Sequence, residues 1–381
     1  MNKKLMAVAV AGALGAPALA LAQASTVQIY GRAMIEYGYV NQNGNKPNAD
    51  ILQNPGGANI GFKGTEALGG GLSAWFQCES SADTRGDTAA GFCTRNSALG
   101  LKGGFGSVYM GKWDTPYKRV MLRGEVGTED TGLMGMADYV SGGSTGAAAG
   151  GAVARTLWQR RQHDSISYDT PNFSGFQGHL AYSASNATAT TNASTSAKPR
   201  IWSVAGLYNN GPLALGLAYE RHVDFGATGG SNDDHAWAAS GSYVFAGKVK
   251  VGGSYNRQNY DLGPGVSADK SAWTLGVEWA LAGPHGVYAN YTKANDTGGT
   301  AGATPGGFIP GAGANTGVDK WQIGYQHKFS KRTDAKLSYV RLNNDSAASY
   351  NLMGTNNTGN TAAQSAGKSQ DAFVMLLRHN F

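Results

Sequence analysis

The side chains best able to do chemistry are spaced against it. The seven histidines stand at 163, 179, 222, 235, 285, 327 and 379. None forms an H-x-x-x-H or H-E-x-x-H pair, the helical spacing that turns two imidazoles onto one zinc ion. His163-Asp164 and Asp234-His235 are adjacent acid–base pairs, but neighbours in an extended strand point to opposite faces. Gly69-Gly70-Gly71 runs into strand-like sequence rather than a helix, so it is no phosphate cradle. No G-x-S-x-G nucleophile turn occurs. The two cysteines, Cys78 and Cys93, are too few for structural zinc, which takes four ligands. They flank a polar segment, 80–91, and in an exported chain they favour a disulfide over free thiols. The expectation is no enzyme, no metal and no cofactor.

The elements that carry these residues are strands. Gly makes up 57 of 381 residues, and charged residues only 15%. Ordinary soluble domains have about 7% Gly and about 25% charged residues. Lys3 and Lys4, an apolar stretch from Leu5 to Leu21 and an Ala22-Gln23-Ala24 cleavage pattern read as an export signal covering 1–24. Beyond it no run of about 20 apolar residues exists, so no transmembrane helix is available. The mature charge of +4 (29 basic against 25 acidic side chains) gives no dense basic face for nucleic acid. Period-2 alternation recurs in stretches of about ten residues. Trp273, Leu275, Val277 and Trp279 share one face, with Thr274, Gly276 and Glu278 on the other. Trp321, Ile323, Tyr325 and His327 do the same against Gln322, Gly324 and Gln326. Ile29, Ala33, Ile35, Tyr37 and Tyr39 oppose Gln28, Arg32 and Glu36. The polar face suits a wet interior.

The connections alternate in length. Short ones fall near Gly69-Gly70, Gly103-Phe105, Pro171-Ser174, Asn210-Pro212, Ala246-Gly247, Ala282-His285 and Ser330-Thr333. Long polar ones fall at 41–56, 82–92, 114–162, 186–198, 224–234, 259–270, 295–318 and 343–370. Fifteen connections imply sixteen antiparallel strands, with the short turns and both termini on one rim. In lipid only a closed sheet pairs every backbone group. The predicted fold is therefore an all-β transmembrane barrel over residues 25–381. Tyr37, Tyr39, Tyr168, Trp202, Tyr208, Tyr243, Trp279 and Tyr325 lie near strand ends, where interfacial aromatics belong. Phe373, Met375, Leu377, His379 and Phe381 share one face of a final strand that ends the chain, the pattern read by barrel-assembly machinery.

Four segments carry a resemblance to a known family. They are Val27-Gln28-Ile29-Tyr30-Gly31, GFKGTEALGGGLSAWFQCES (61–80), GLKGGFGSVYMGKWDTPY (100–117) and SISYDTPNFSGF (165–176). With the Phe381 strand, they resemble the Gram-negative general porins of Burkholderia, Bordetella and Neisseria relatives. The resemblance implies a homotrimer of water-filled channels in the outer membrane, in contact with its lipid and lipopolysaccharide, passing small ions and solutes. Ala33, Ala74 and Ala98 are the small residues that such subunit contacts would use. It implies that the third long loop, 114–162, folds into the pore, bringing Asp114, Glu125, Glu129, Asp130 and Asp138. It implies a basic wall opposite, with Arg95 and Arg161 at matching positions. A third family arginine is replaced by Ala58-Asn59, and Arg32 and Lys63 have the lumen parity to supply its charge. Such a wall would favour anions mildly. The alternatives are a plugged adhesive surface barrel and a substrate-specific channel with aromatics along its lumen.

Overall fold

The structure is a computed structural model. It describes residues 26–43, 47–84, 91–129, 131–136, 155–183, 199–225, 233–306, 309–352 and 365–381. The export segment, Asp130 and Asp138 lie outside the described residues.

Eighteen strand segments form one antiparallel sheet. They are β1 (Thr26–Asn41), β2 (Ala49–Gln53), β3 (Asn59–Gly69), β4 (Leu72–Ser81), β5 (Ser97–Gly103), β6 (Gly106–Asp114), β7 (Arg161–Asp169), β8 (Phe176–Ser183), β9 (Arg200–Asn210), β10 (Leu213–Val223), β11 (Asp233–Phe245), β12 (Val249–Gly263), β13 (Val266–Ala280), β14 (His285–Ala294), β15 (Gly298–Gly299), β16 (Val318–Lys328), β17 (Thr333–Asn344) and β18 (Gln370–Asn380). One helix, α1 (Pro116–Arg123), follows β6. β2 and β3 pair with successive halves of β1, and β14 and β15 with successive parts of β13. The eighteen segments are thus sixteen staves. The sheet closes where β1 pairs with β18 from Arg32↔Asn380 to Asn41↔Asp371. Phe381 and Gly31 exchange both backbone hydrogen bonds at the seam. A side chain on Gly31 would collide with the Phe381 ring, so the seam needs glycine there.

The barrel is inverted relative to a soluble protein. Leu99, Met110, Ile166, Leu217, Leu275, Ile323, Leu337 and Phe373 are exposed. Glu36, Glu220, His222, Asn256, Lys270, Asn290, Lys320 and Gln322 are buried inside. Charged residues are almost never fully buried unless paired, and an exposed apolar belt has no purpose in water. Both make sense when the outer face meets hydrocarbon. Trp273 and Trp279 bracket Leu275 and Val277 on one strand, marking the two edges of the apolar band.

The sheet departs from the sequence reading at three connections. Residues 259–270 are no loop: β12 and β13 run on to a tight hairpin at 264–265, with Gly263 and Gly265 at positive φ. The apolar alternation stops at the membrane edge, while the ladder continues past it into polar surroundings. The 41–56 connection contains β2, and 295–318 contains β15. Ala98 pairs with lumen-facing Gln77 and is buried, so it points inward and not toward a neighbouring subunit.

Candidate functional site

The described parts of the 115–160 connection lie on the inner wall of the barrel. The Thr115 side chain caps α1 by accepting from the Lys118 amide, and Pro116 occupies the first turn, where its missing N–H costs nothing. Tyr117, Val120 and Met121 form the buried side of the helix. The Tyr117 amide donates to Ser203 Oγ of β9 (3.1 Å), and Ser240 Oγ of β11 donates to the Val120 carbonyl (2.6 Å). The chain then crosses the wall strand by strand. The Gly127 amide donates to Glu278 on β13 (3.0 Å) and Asn290 on β14 donates to the Val126 carbonyl (3.1 Å). Gln322 and Lys320 on β16 donate to the Gly127 and Gly135 carbonyls. Glu129 pairs with Lys336 on β17 (2.6 Å) and Arg378 on β18 (3.4 Å). The Leu133 amide donates to Glu36 on β1 (2.8 Å). Leu133, Met134 and Met136 join Met34, Val40, Val340, Leu342, Val374 and Leu376 in an apolar cluster. This part of the lumen face is apolar and packed, where the sequence reading expected a polar, wet one.

The returning limb is held as firmly. Trp158 stacks on His222 with ring centres 4.0 Å apart and planes within 9°. Its Nε1 donates to the Tyr260 hydroxyl (2.8 Å). Arg155 pairs with Asp234 (Nη2 to Oδ1, 2.6 Å), a charge buried only because its partner is buried with it. Burial pushes the Tyr117 hydroxyl well above its ordinary value and the Arg160 guanidinium down to about 10. At neutral pH Tyr117 is neutral and Arg160 charged.

The arc from β3 to β7 carries the residues expected to form a basic wall. Arg95 pairs with Glu79 (2.6 Å) and donates to the Gly56 carbonyl (2.7 Å). Arg32 donates to Asn380 (3.0 Å), and its guanidinium comes within 3.5 Å of where a Gly57 side chain would begin. Lys63 lies over the Tyr30 ring (4.9 Å), and the Tyr30 hydroxyl donates to Glu79 (3.1 Å). Arg161 stands 3.3 Å from Asp114, which also faces Lys118 (3.3 Å). Arg32, Lys63 and Arg95 are therefore linked through Glu79, Tyr30 and the 56–57 backbone. Arg161 pairs with Asp114, and both stand close to Arg95.

One detail differs from the sequence reading. Simple alternation does not place Arg161, because the β6–β7 register shifts between Gly111 and Trp113 with Asp164 at positive φ; its guanidinium is placed instead by Asp114 and lies close enough to Arg95 to repel it. A bulge of this kind exchanges the two faces of a strand. Of the described loop acids, Asp114 stands beside Arg161 and Arg95, and Glu129 is held on the opposite side of the lumen. Glu129 meets Lys336 and Arg378 on the far wall, and Asp114 ends β6 at the loop's root. Glu125 is partly buried beside Val126. Lys336 and Arg378 were legible, since they alternate with the apolar Leu337 and Leu377. Cys78 and Cys93 are joined by a disulfide, closing the 82–92 connection onto β4.

Known proteins share this architecture. Outer membrane porin protein 32 of Delftia acidovorans is 28% identical over 389 residues, spanning 100% of both chains. The anion-selective porin from Comamonas acidovorans superposes with a TM-score of 0.74 at 24% identity, covering 94% of this chain and 100% of that one. The in-vitro folded OmpT of Vibrio cholerae in its trimer form superposes with a TM-score of 0.63 at 17% identity, covering 94% and 100%. The last two are likenesses of fold. The Gram-negative porin family matches residues 7–347. A closed inverted barrel with this match over most of its length belongs to the Gram-negative porin family, as an outer-membrane channel protein.

Proposed function

We propose that the barrel is a general diffusion channel for ions and small hydrophilic solutes, narrowed by the 115–160 connection and mildly anion-preferring. The observation that carries this reading is the path of residues 116–136. They hydrogen-bond to inward side chains from β9 round to β1, with Arg119 also reaching Asp169 on β7 (3.0 Å) and His179 on β8 (2.8 Å), and leave most of the β3–β7 arc as the remaining wall. Arg32, Lys63, Arg95 and Arg161 belong to that arc or its seam. Glu79 and Asp114 offset part of their charge. A narrow opening between low-dielectric walls focuses the remainder, so the preference is for anions and is modest. Asp130 and Asp138 would add acid to the same connection.

On this reading the channel is a homotrimer; the in-vitro folded OmpT of Vibrio cholerae, similar in fold, has a trimer form. Its outer face meets membrane lipid and lipopolysaccharide. Its first 24 residues direct export, and the alternating Phe373–Phe381 strand is the signal to the barrel-assembly machinery. The purified protein in planar bilayers tests the reading. Discrete, ohmic conductance steps are the expected result. A protein that inserts yet gives no steps would be a plugged surface barrel, and the channel reading would be wrong.

A further inference from the structure

The β3–β6 wall holds a recess of about 370 Å³ that shares only Lys63 with the proposed basic wall. Trp75, Lys63, Lys102, Thr65, Gln77 and Ser107 line it. All belong to the inward face, because Lys63 pairs with Gln77, Thr65 with Trp75, and Lys102 with both Ser73 and Ser107. It lies toward the short-turn rim, since Lys102 immediately precedes the Gly103–Gly106 turn.

Trp75 is set as a platform there. Its indole lies over Gly100, with Cε2 and Nε1 each 2.7 Å from where a side chain at that position would begin. Its Nε1 donates to Ser107 Oγ (3.0 Å). Tyr109 and Trp113 brace it, with ring centres 5.3 and 5.7 Å away. Backbone on one side, a hydrogen bond at the edge and two rings around it fix the indole before any solute arrives, so little ordering cost remains. Trp75 nevertheless stays partly exposed, and Lys63 and Lys102 are exposed beside it. Lys102 Nζ reaches Thr65 Oγ1 (3.4 Å), and Thr65 is the next inward residue after Lys63. No carboxylate stands among the lining residues.

We propose that this recess is a binding subsite for planar aromatic carboxylates. The ring lies on the exposed part of the Trp75 indole, and the carboxylate is taken by Lys102 beside Thr65, with Lys63 on its flank. A neutral sugar would leave both ammonium groups without a counter-charge. A small inorganic anion would leave the indole uncovered. An aromatic carboxylate meets both, and its charge sign suits entry through an anion-preferring channel.

Sodium benzoate is the probe, with sodium cyclohexanecarboxylate as a control of equal charge and similar size. The measurement is the concentration-dependent fall in KCl conductance of the full mature protein in planar bilayers. Benzoate should block at several-fold lower concentration than the control. Aromatic stacking at its usual strength makes benzoate block about three- to tenfold weaker in Trp75→Leu. Lys102→Gln and Lys63→Gln, exposed changes that leave the fold alone, should each weaken the block, and less so in 1 M than in 0.1 M KCl. Trp75→Phe keeps a ring in the packed cluster and should fall between wild type and Trp75→Leu. Equal block by both acids, block unchanged in the lysine variants, or no block at all would overturn the assignment. Lys63 belongs also to the proposed basic wall, so Lys102→Gln and Trp75→Leu are the variants that test the subsite apart from the ion preference.

Discussion

Glu129 is the residue on which the loop's hold on the far wall turns. Its carboxylate serves both Lys336 and Arg378, and all three side chains are largely buried. Arg378 also has Asp334 (2.8 Å), but Glu129 is the acid that ties the loop itself to β17 and β18. Glu129→Gln keeps the shape and removes the charge. Removing one partner of a buried pair typically costs about 3–5 kcal/mol, because the other charge is left behind. The expected outcome is a channel that still folds, but with a larger and noisier single-channel current, since the loop detaches from the wall in part. An unaltered current trace would show that the pair does not position the loop. Sequence alone made Glu129 a loop acid but named no wall partner for it. Nothing in spacing says which strand a loop residue will reach, since that depends on the path of the backbone through space.

At the scale of elements, the loop seats where the wall has no side chains. Val126 crosses β12 and β13 at Gly252 and Gly276, and a side chain on Gly276 would fall on the Val126 carbonyl, well inside contact distance. Backbone atoms cannot rotate away as a side chain can, so Gly276→Val must lift residues 124–127. Limited proteolysis of the folded protein should then cut near 124–127, where the wild type resists, and the conductance should change with it. The strands themselves were largely legible, because lipid on one side and the lumen on the other impose a strict alternation. Where that two-sided constraint ends, legibility ends. The 259–270 hairpin stands beyond the apolar band, so its residues read as loop although the ladder continues. The bulge at Asp164 broke the parity used for Arg161, since one extra residue inverts every inference beyond it. The Trp75–Tyr109–Trp113 cluster, by contrast, follows plain alternation, since Trp113 shares the face of Tyr109 on β6 and the extra residue of the bulge lies in β7.

For the whole molecule, the inverted barrel makes two faces with opposite rules. Leu275, between the two bracketing tryptophans, faces lipid, and Leu275→Arg should cost about 2–4 kcal/mol near the bilayer midplane. Gln77→Arg faces water in the lumen and should leave yield in the outer membrane unchanged. Equal yields of the two variants would contradict the assignment of faces. The central claim is that charge on the β3–β7 arc sets the channel's preference, although the mature chain is only mildly basic. The direct measurement is the zero-current potential across a planar bilayer in a tenfold KCl gradient, repeated at low salt. There the Debye length grows from about 10 Å at 0.1 M to about 30 Å at 0.01 M, so fixed charges reach further across the opening. The wild type should show the sign of chloride permeation. Arg161→Glu should move the potential toward potassium, more at low than at high salt, and Arg161→Gln should move it the same way by less, without setting two carboxylates beside each other at Asp114. A wild-type potential of the opposite sign, or one that neither substitution shifts at low salt, would contradict the account.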